Sequence, residues 1–147
     1  YGKGHLVRVA SQTIILEKRQ GYDLKVCVGT DSQVYSNHIE FASVVVFLRQ
    51  GSGGFMFINN YRHVGIMTIK ERMIIEVSKS IEVAYSICHL LDKHKVDLEV
   101  HADINTNPGF KSNSALSEAM GYIMGMGFQF KAKPDAFASS SCADKVV

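Results

Sequence analysis

Cysteine is scarce in this 147-residue chain: Cys27, Cys88 and Cys142 are odd in number, widely spaced and form no Cys-x-x-Cys pair. That spacing excludes a disulfide framework and a zinc site built from cysteines alone. Cys27 falls within a strand pattern and Cys88 on a helical apolar stripe, so both are expected in the core. Reduced thiols fit a cytoplasmic protein. No apolar run approaches the roughly 18 residues that span a bilayer, and no signal peptide is visible, so no membrane is expected. An excess of one charge is missing too: 16 Lys and Arg against 14 Asp and Glu leave a net +2. Bulk charge is therefore nearly silent about partners and leaves room for a locally basic groove. Repeats, linkers and low-complexity segments are absent, so residues 1–147 read as one domain, with 1–21 as an N-terminal lead-in. At 46% hydrophobic, a chain of this length can bury a substantial core. It begins with Tyr1 rather than Met, as a piece of a longer protein would.

Residues 6–19 combine weak helical periodicity with polar interruptions and read as a short helix or an extended lead-in, ended by Gly21. Leu24–Thr30 (LKVCVGT) is β-branched and largely apolar, the pattern of a central strand covered on both faces. Residues 32–37 are polar and turn-like. Phe41–Leu48 and Phe55–Tyr61 follow as strands joined by Gly51-Ser52-Gly53-Gly54, and such short connections make the three strands antiparallel neighbours. That glycine loop lacks the Lys-Ser/Thr ending of a P-loop and lies between two strands, so no nucleotide cofactor is expected.

Thr68-Ile69-Lys70-Glu71 has the form of a capping box, in which a hydroxyl and a carboxylate satisfy open backbone donors. The helix it opens carries Ile74, Val77, Ile81, Ala84, Cys88 and Leu91 at spacings of three and four and ends near His94. Val96–His101 is a fourth strand, and the intervening helix lets it return parallel to a neighbour. A turn at 107–109, a helix over 114–124, a short strand over 128–132 and the first turns of a final helix over 141–147 complete the order. The fold class is α/β: a mixed five-stranded sheet, three antiparallel strands then alternating helix and strand, with helices on both faces.

Acids punctuate this pattern. Asp31 ends the first strand, Asp103 follows the fourth, Glu76 lies on the long helix and Asp144 in the last. Carboxylates brought together repel unless a cation lies between them, and two metals about 3.5–4 Å apart stabilise both the attacking and the leaving oxygen in phosphodiester cleavage. Each acid also has a plainer role available. An aspartate at a strand end organises a turn, and a glutamate at the margin of an apolar face pairs with a Lys or Arg. Among the glutamates of the long helix, Glu71 is occupied by capping and Glu82 lies on a solvated face, which leaves Glu76, because a desolvated carboxylate needs a partner. For the fourth acid Asp135, after Pro134, is held in reserve. Ser32, His101 and Asn105 are candidate supporting or substrate-contacting groups, with a satisfied core histidine the plainer reading of His101. Lys111, Lys133 and Lys145 are candidate phosphate contacts, solvated surface lysines being the alternative.

The motifs GTDSQV (29–34), RMIIEVSKSI (72–81), HADIN (101–105), KPDAFA (133–138) and ADK (143–145), taken in order, resemble those of the YkuK-type family of small bacterial ribonuclease H-like proteins. The resemblance runs from about Tyr22 to the C-terminus. It implies a ribonuclease H-like fold and a catalytic, metal-binding set of Asp31, Glu76, Asp103 and Asp144. It also implies two Mg²⁺ or Mn²⁺ ions, which hard oxygen ligands suit better than zinc. The expected function is divalent-metal-dependent hydrolysis of phosphodiester bonds in RNA, RNA–DNA hybrid or structured DNA, with nucleic acid as partner. The alternative is a catalytically inactive ribonuclease H-like module that binds nucleic acid or a protein. No histidine follows His101, which favours the alternative; retention of all four acid positions opposes it.

Overall fold

An apolar run flanked by turn residues forms strands only when a second strand accepts its backbone hydrogen bonds, and here the pairing partners set the strand limits. The computed structural model describes residues 3–51, 53–105, 121, 124–125 and 127–133. Their elements are α1 (Lys3–Arg19), β1 (Leu24–Val34), β2 (His38–Arg49), β3 (Gly54–Val64), α2 (Ile69–Lys93), β4 (Asp97–Asn105) and β5 (Gln129–Lys133). The lead-in is thus a helix of 17 residues. The predicted helix over 114–124 falls largely, and the one over 141–147 wholly, outside the described residues.

The strands form one sheet in the order β3-β2-β1-β4-β5. β1 and β2, and β2 and β3, pair antiparallel, while β4 lies parallel to β1 and β5 parallel to β4. Two tight hairpins build the antiparallel half. At the first, Tyr35 N–H bonds to His38 C=O at 2.9 Å; at the second, Arg49 N–H bonds to Gly53 C=O at 2.8 Å. Gly53 has φ +74°, and a Cβ on Gly54 would lie 2.3 Å from Phe47 O, so this turn requires glycine at both positions.

Strand limits are the main correction to the sequence reading. Asp31 does not end β1. It pairs with Ala42, and the ladder continues through Ser32, Gln33 and Val34 to Ile39. Asp103 likewise lies inside β4 rather than after it. Backbone pairing needs no apolar side chain, so a hairpin carries a strand beyond the end of its hydrophobic run.

Alternation along β1 divides the core. Val26 and Val28, with Val45, Phe47, Val100 and Ala102, form one face. Against it lie Leu6, Ala10 and Ile14 of α1 and Met73, Val77, Ile81, Ala84, Ile87 and Leu91 of α2. Both described helices therefore cover the same side of the sheet. On the other side Cys27, Val44 and Val46 make a smaller buried cluster. The inward stripe of α2 runs through Met73 and Ile87 rather than Ile74 and Cys88; Cys88 is only half-buried, contrary to expectation. Cys27 is fully buried, as expected.

The ends of α2 follow local chemistry. Thr68 Oγ1 accepts from Glu71 N–H while Glu71 Oε1 accepts from Thr68 N–H, both at 3.0 Å, a complete capping box. At the other end Lys95 N–H bonds to Asp92 C=O and Val96 N–H to Leu91 C=O, a Schellman closure that holds Lys95 at φ +56°.

Candidate metal centre

Four residues of helix advance about 6 Å and two residues of strand about 6.7 Å, so a helix lying along a strand keeps step with it. α2 uses this match against β1. Ser80 stands over Thr30 and Glu76 over Ser32, the helix running opposite to the strand. The apolar packing of the core that contains Ala84 and Val28 thereby gives way to a polar contact toward the end of β1.

Thr30 is the first member of that polar layer. Its hydroxyl bonds Ser80 Oγ at 2.7 Å and Ser43 Oγ at 2.8 Å, and Ser43 Oγ bonds Tyr61 Oη at 2.8 Å. Burial is the largest influence on the Tyr61 hydroxyl; it outweighs the lowering effect of the bonds from Ser43 and Thr30 and pushes the pKa up to about 12. Lys79 Nζ lies 4.9 Å above the Tyr61 ring.

Beyond Thr30 come the acids. Asp31 and Glu76 are both buried, at 7% and 5% exposure. They meet at Ser32: its backbone N–H donates to Asp31 Oδ1 at 2.8 Å, and its hydroxyl donates to Glu76 Oε2. One residue thus holds one oxygen of each acid. Glu76 is turned into the protein and away from bulk solvent. The parallel register pairs Gly29 with His101; Asp31 and Asp103 each lie two residues further along their strands, where β4 shifts its register against β5 between His101 and Asn105.

One neighbour was not singled out from the sequence. Arg72 stands one helical turn before Glu76, and its buried Nε has no hydrogen-bond partner among the described residues. The signal was the i, i+4 spacing to Glu76. His101, by contrast, is 1% exposed, and its Nε2 lies 3.0 Å from Glu99 Oε1. Lys25 Nζ holds the other Glu99 oxygen at 2.7 Å. Burial, the largest influence on Glu99, raises its pKa, but the hydrogen bonds and charges of Lys25 and His101 together leave it below the usual carboxylate value. The bond to Glu99 holds Lys25 above the usual lysine value.

Asp103 and Asn105 lie on β4, and Lys133 ends β5. Lys111, Asp135, Asp144 and Lys145 lie outside the described residues. No described helix is long and apolar enough to cross a membrane.

The sheet order 3-2-1-4-5, the antiparallel first half and the long helix between β3 and β4 define a ribonuclease H-like architecture. The Ribonuclease H-like family model matches residues 8–147, so the chain belongs to that family. It is also 30% identical to the uncharacterized protein YkuK of Bacillus subtilis (strain 168), over 88% of this chain and 81% of the relative.

Proposed function

We propose that this protein is a divalent-metal-dependent phosphodiester hydrolase of ribonuclease H type acting on nucleic acid, folded as one domain over residues 1–147. The observation that carries this reading is that Ser32 bonds two buried carboxylates, Asp31 and Glu76, with Asp103 two residues beyond His101 on the neighbouring strand. Desolvated acids are costly without compensating positive charge. Their donors are hard oxygens, which fit Mg²⁺ or Mn²⁺ better than zinc.

In this proposal Asp31, Glu76 and Asp103 hold the ions, with Asp144 as the fourth acid and Asp135 in reserve. When bound, the metals would supply an activated water and stabilisation of the leaving oxygen. The chain's own residues orient the ligands and the substrate. Ser32 orients both Asp31 and Glu76, and the Thr30–Ser80 bond holds α2 in step with β1 so that Glu76 stays over Ser32. Arg72 has a buried Nε donor with no partner among the described residues one turn from Glu76, and a guanidinium suits the two oxygens of a phosphodiester. Lys111, Lys133 and Lys145 would add backbone charge neutralisation.

A nuclease panel tests this reading. Wild type with Mn²⁺ or Mg²⁺ is expected to cleave at least one of single-stranded RNA, RNA–DNA hybrid and structured DNA. Asp31→Asn and Asp103→Asn are expected to be inactive on the same substrate. Cleavage that survives both substitutions rejects the site. Binding without cleavage by wild type, at any concentration of either metal, favours the inactive module.

A further inference from the structure

A second cluster of metal-ligating side chains lies on the opposite side of β1 from Ser32. Cys27 and Glu99 are register partners on the parallel strands β1 and β4, and Gly29 is the partner of His101. Alternation puts Cys27, Glu99 and His101 on one face. Cys27 Sγ, a Glu99 carboxylate oxygen and a His101 ring nitrogen all lie within 4.8 Å of one another, and all three residues are buried.

The geometry points to a binding site for a thiophilic divalent cation, zinc foremost, held by Cys27 Sγ, Glu99 Oε1 and His101 Nε2 between β1 and β4. A tetrahedral zinc with Zn–S about 2.3 Å and Zn–N and Zn–O about 2.1 Å separates sulfur from oxygen by roughly 3.6 Å and nitrogen from oxygen by roughly 3.4 Å. The observed separations are 4.0 Å for Sγ to Oε1 and 3.0 Å for Nε2 to Oε1. Each lies within about half an ångström of its target, a shift that side-chain rotation can supply. One thiolate, one imidazole and one carboxylate make a softer donor set than the oxygens of Asp31 and Glu76, so the two sites select different metals.

Lys25 fits the arrangement as a supporting group. Its ammonium bonds Glu99 Oε2, leaving Oε1 facing Sγ and Nε2. Ligating carboxylates are commonly held in this way by a hydrogen bond to the oxygen that does not coordinate. On binding, Cys27 loses its thiol proton to solvent and His101 coordinates as the neutral ring with its proton on Nδ1, so one proton is released for each metal bound if His101 is neutral beforehand. The bound cation then replaces the His101–Glu99 hydrogen bond and ties β1 to β4, before Asp31 and Asp103 along their strands. This site stands independently of the nuclease reading.

Metal-free full-length protein titrated with Co²⁺, a spectroscopic stand-in for zinc, tests the inference. The expected result is a thiolate-to-cobalt charge-transfer band with visible bands of tetrahedral intensity, saturating at one equivalent and abolished by equimolar Zn²⁺. Cys27→Ser is expected to lose the charge-transfer band, and Glu99→Gln to weaken Co²⁺ binding at least tenfold, both with wild-type circular dichroism. Asp31→Asn is expected to keep the band, and Cys27→Ser to keep Mn²⁺ binding, which separates this site from the acidic one. Absence of the band in wild type overturns the inference, as does a band that persists in Cys27→Ser and so arises from Cys88 or Cys142. If Cys27→Ser does not fold, the Glu99→Gln titration decides alone: unchanged Co²⁺ affinity overturns the site.

Discussion

Neutralising one acid of the Asp31–Glu76 pair has a calculable thermal signature. A ligand that binds only the folded state stabilises it by about 2.7 kcal/mol at a hundredfold excess over its Kd. For a chain near 150 residues, each kcal/mol moves Tm by roughly 3 °C. Mn²⁺ at that excess should therefore raise the wild-type Tm by about 8 °C. Asp31→Asn and Glu76→Gln are close isosteres, and each keeps a carbonyl oxygen to accept the bond from Ser32, so the local hydrogen bonds survive and the charge disappears. Both side chains are almost fully enclosed, so loss of charge also removes a desolvation cost. Without metal, each variant should melt at or above the wild-type temperature; with Mn²⁺, the 8 °C rise should shrink to about 1 °C or less. Differential scanning fluorimetry across a Mn²⁺ titration, repeated with Mg²⁺, reads both effects. A full Mn²⁺ shift in both variants would refute the reasoning, because the cation would then bind elsewhere. A wild type that shows no shift at millimolar Mn²⁺ would refute it equally.

Four further outcomes follow from the geometry. Lys95→Gly should stabilise the protein by about 1 kcal/mol in urea denaturation, since the Schellman closure holds position 95 at φ +56°, where a side chain is strained. Thr68→Ala removes the N-cap acceptor of α2 and should cost about 1 kcal/mol in the same assay. Thr30→Val leaves the Ser43 and Ser80 hydroxyls each short of a partner and should cost about 1–3 kcal/mol, and it should also weaken Mn²⁺ binding by loosening α2 against β1. In alkali, the Tyr61 hydroxyl ionises near pH 10 when unfolded but only near about 12 when folded. The stability it contributes is whole below pH 10 and is lost as pH rises toward 12, by about 2 kcal/mol after allowance for its partial exposure. Tyr61→Phe should flatten that alkaline slope, as followed by circular dichroism at fixed urea.

Much of the fold was written locally. The apolar runs of β1 and β2, the glycine turn at 51–54 and the capping box at Thr68 each specify their own element, because the interactions that form it lie within a few residues. The inward turn of Glu76 was legible for a related reason: it is a carboxylate at the margin of an apolar face, where a charge needs a partner. Other features were not legible. The apolar stripe of α2 was read one residue out of phase at Ile74 and Cys88, because a helix surface offers two adjacent apolar lines and only the sheet beneath selects Met73 and Ile87. The ends of β1 and β4 were placed too early, since a strand's length belongs to the ladder it joins.

The sequence alone determined the five strands, the long helix α2 and their order, together with the chemical character of the candidate acids, all of which depend on neighbours along the chain. The tertiary structure alone decided that Ser32 would tether both Asp31 and Glu76, that Arg72 would keep a buried Nε without a partner among the described residues, and that Cys27 would meet Glu99 and His101 across more than 70 residues of chain. Those contacts follow from register between strands and from the phase of a helix on a sheet. Both are set by packing over the whole molecule, and no short stretch of residues encodes them.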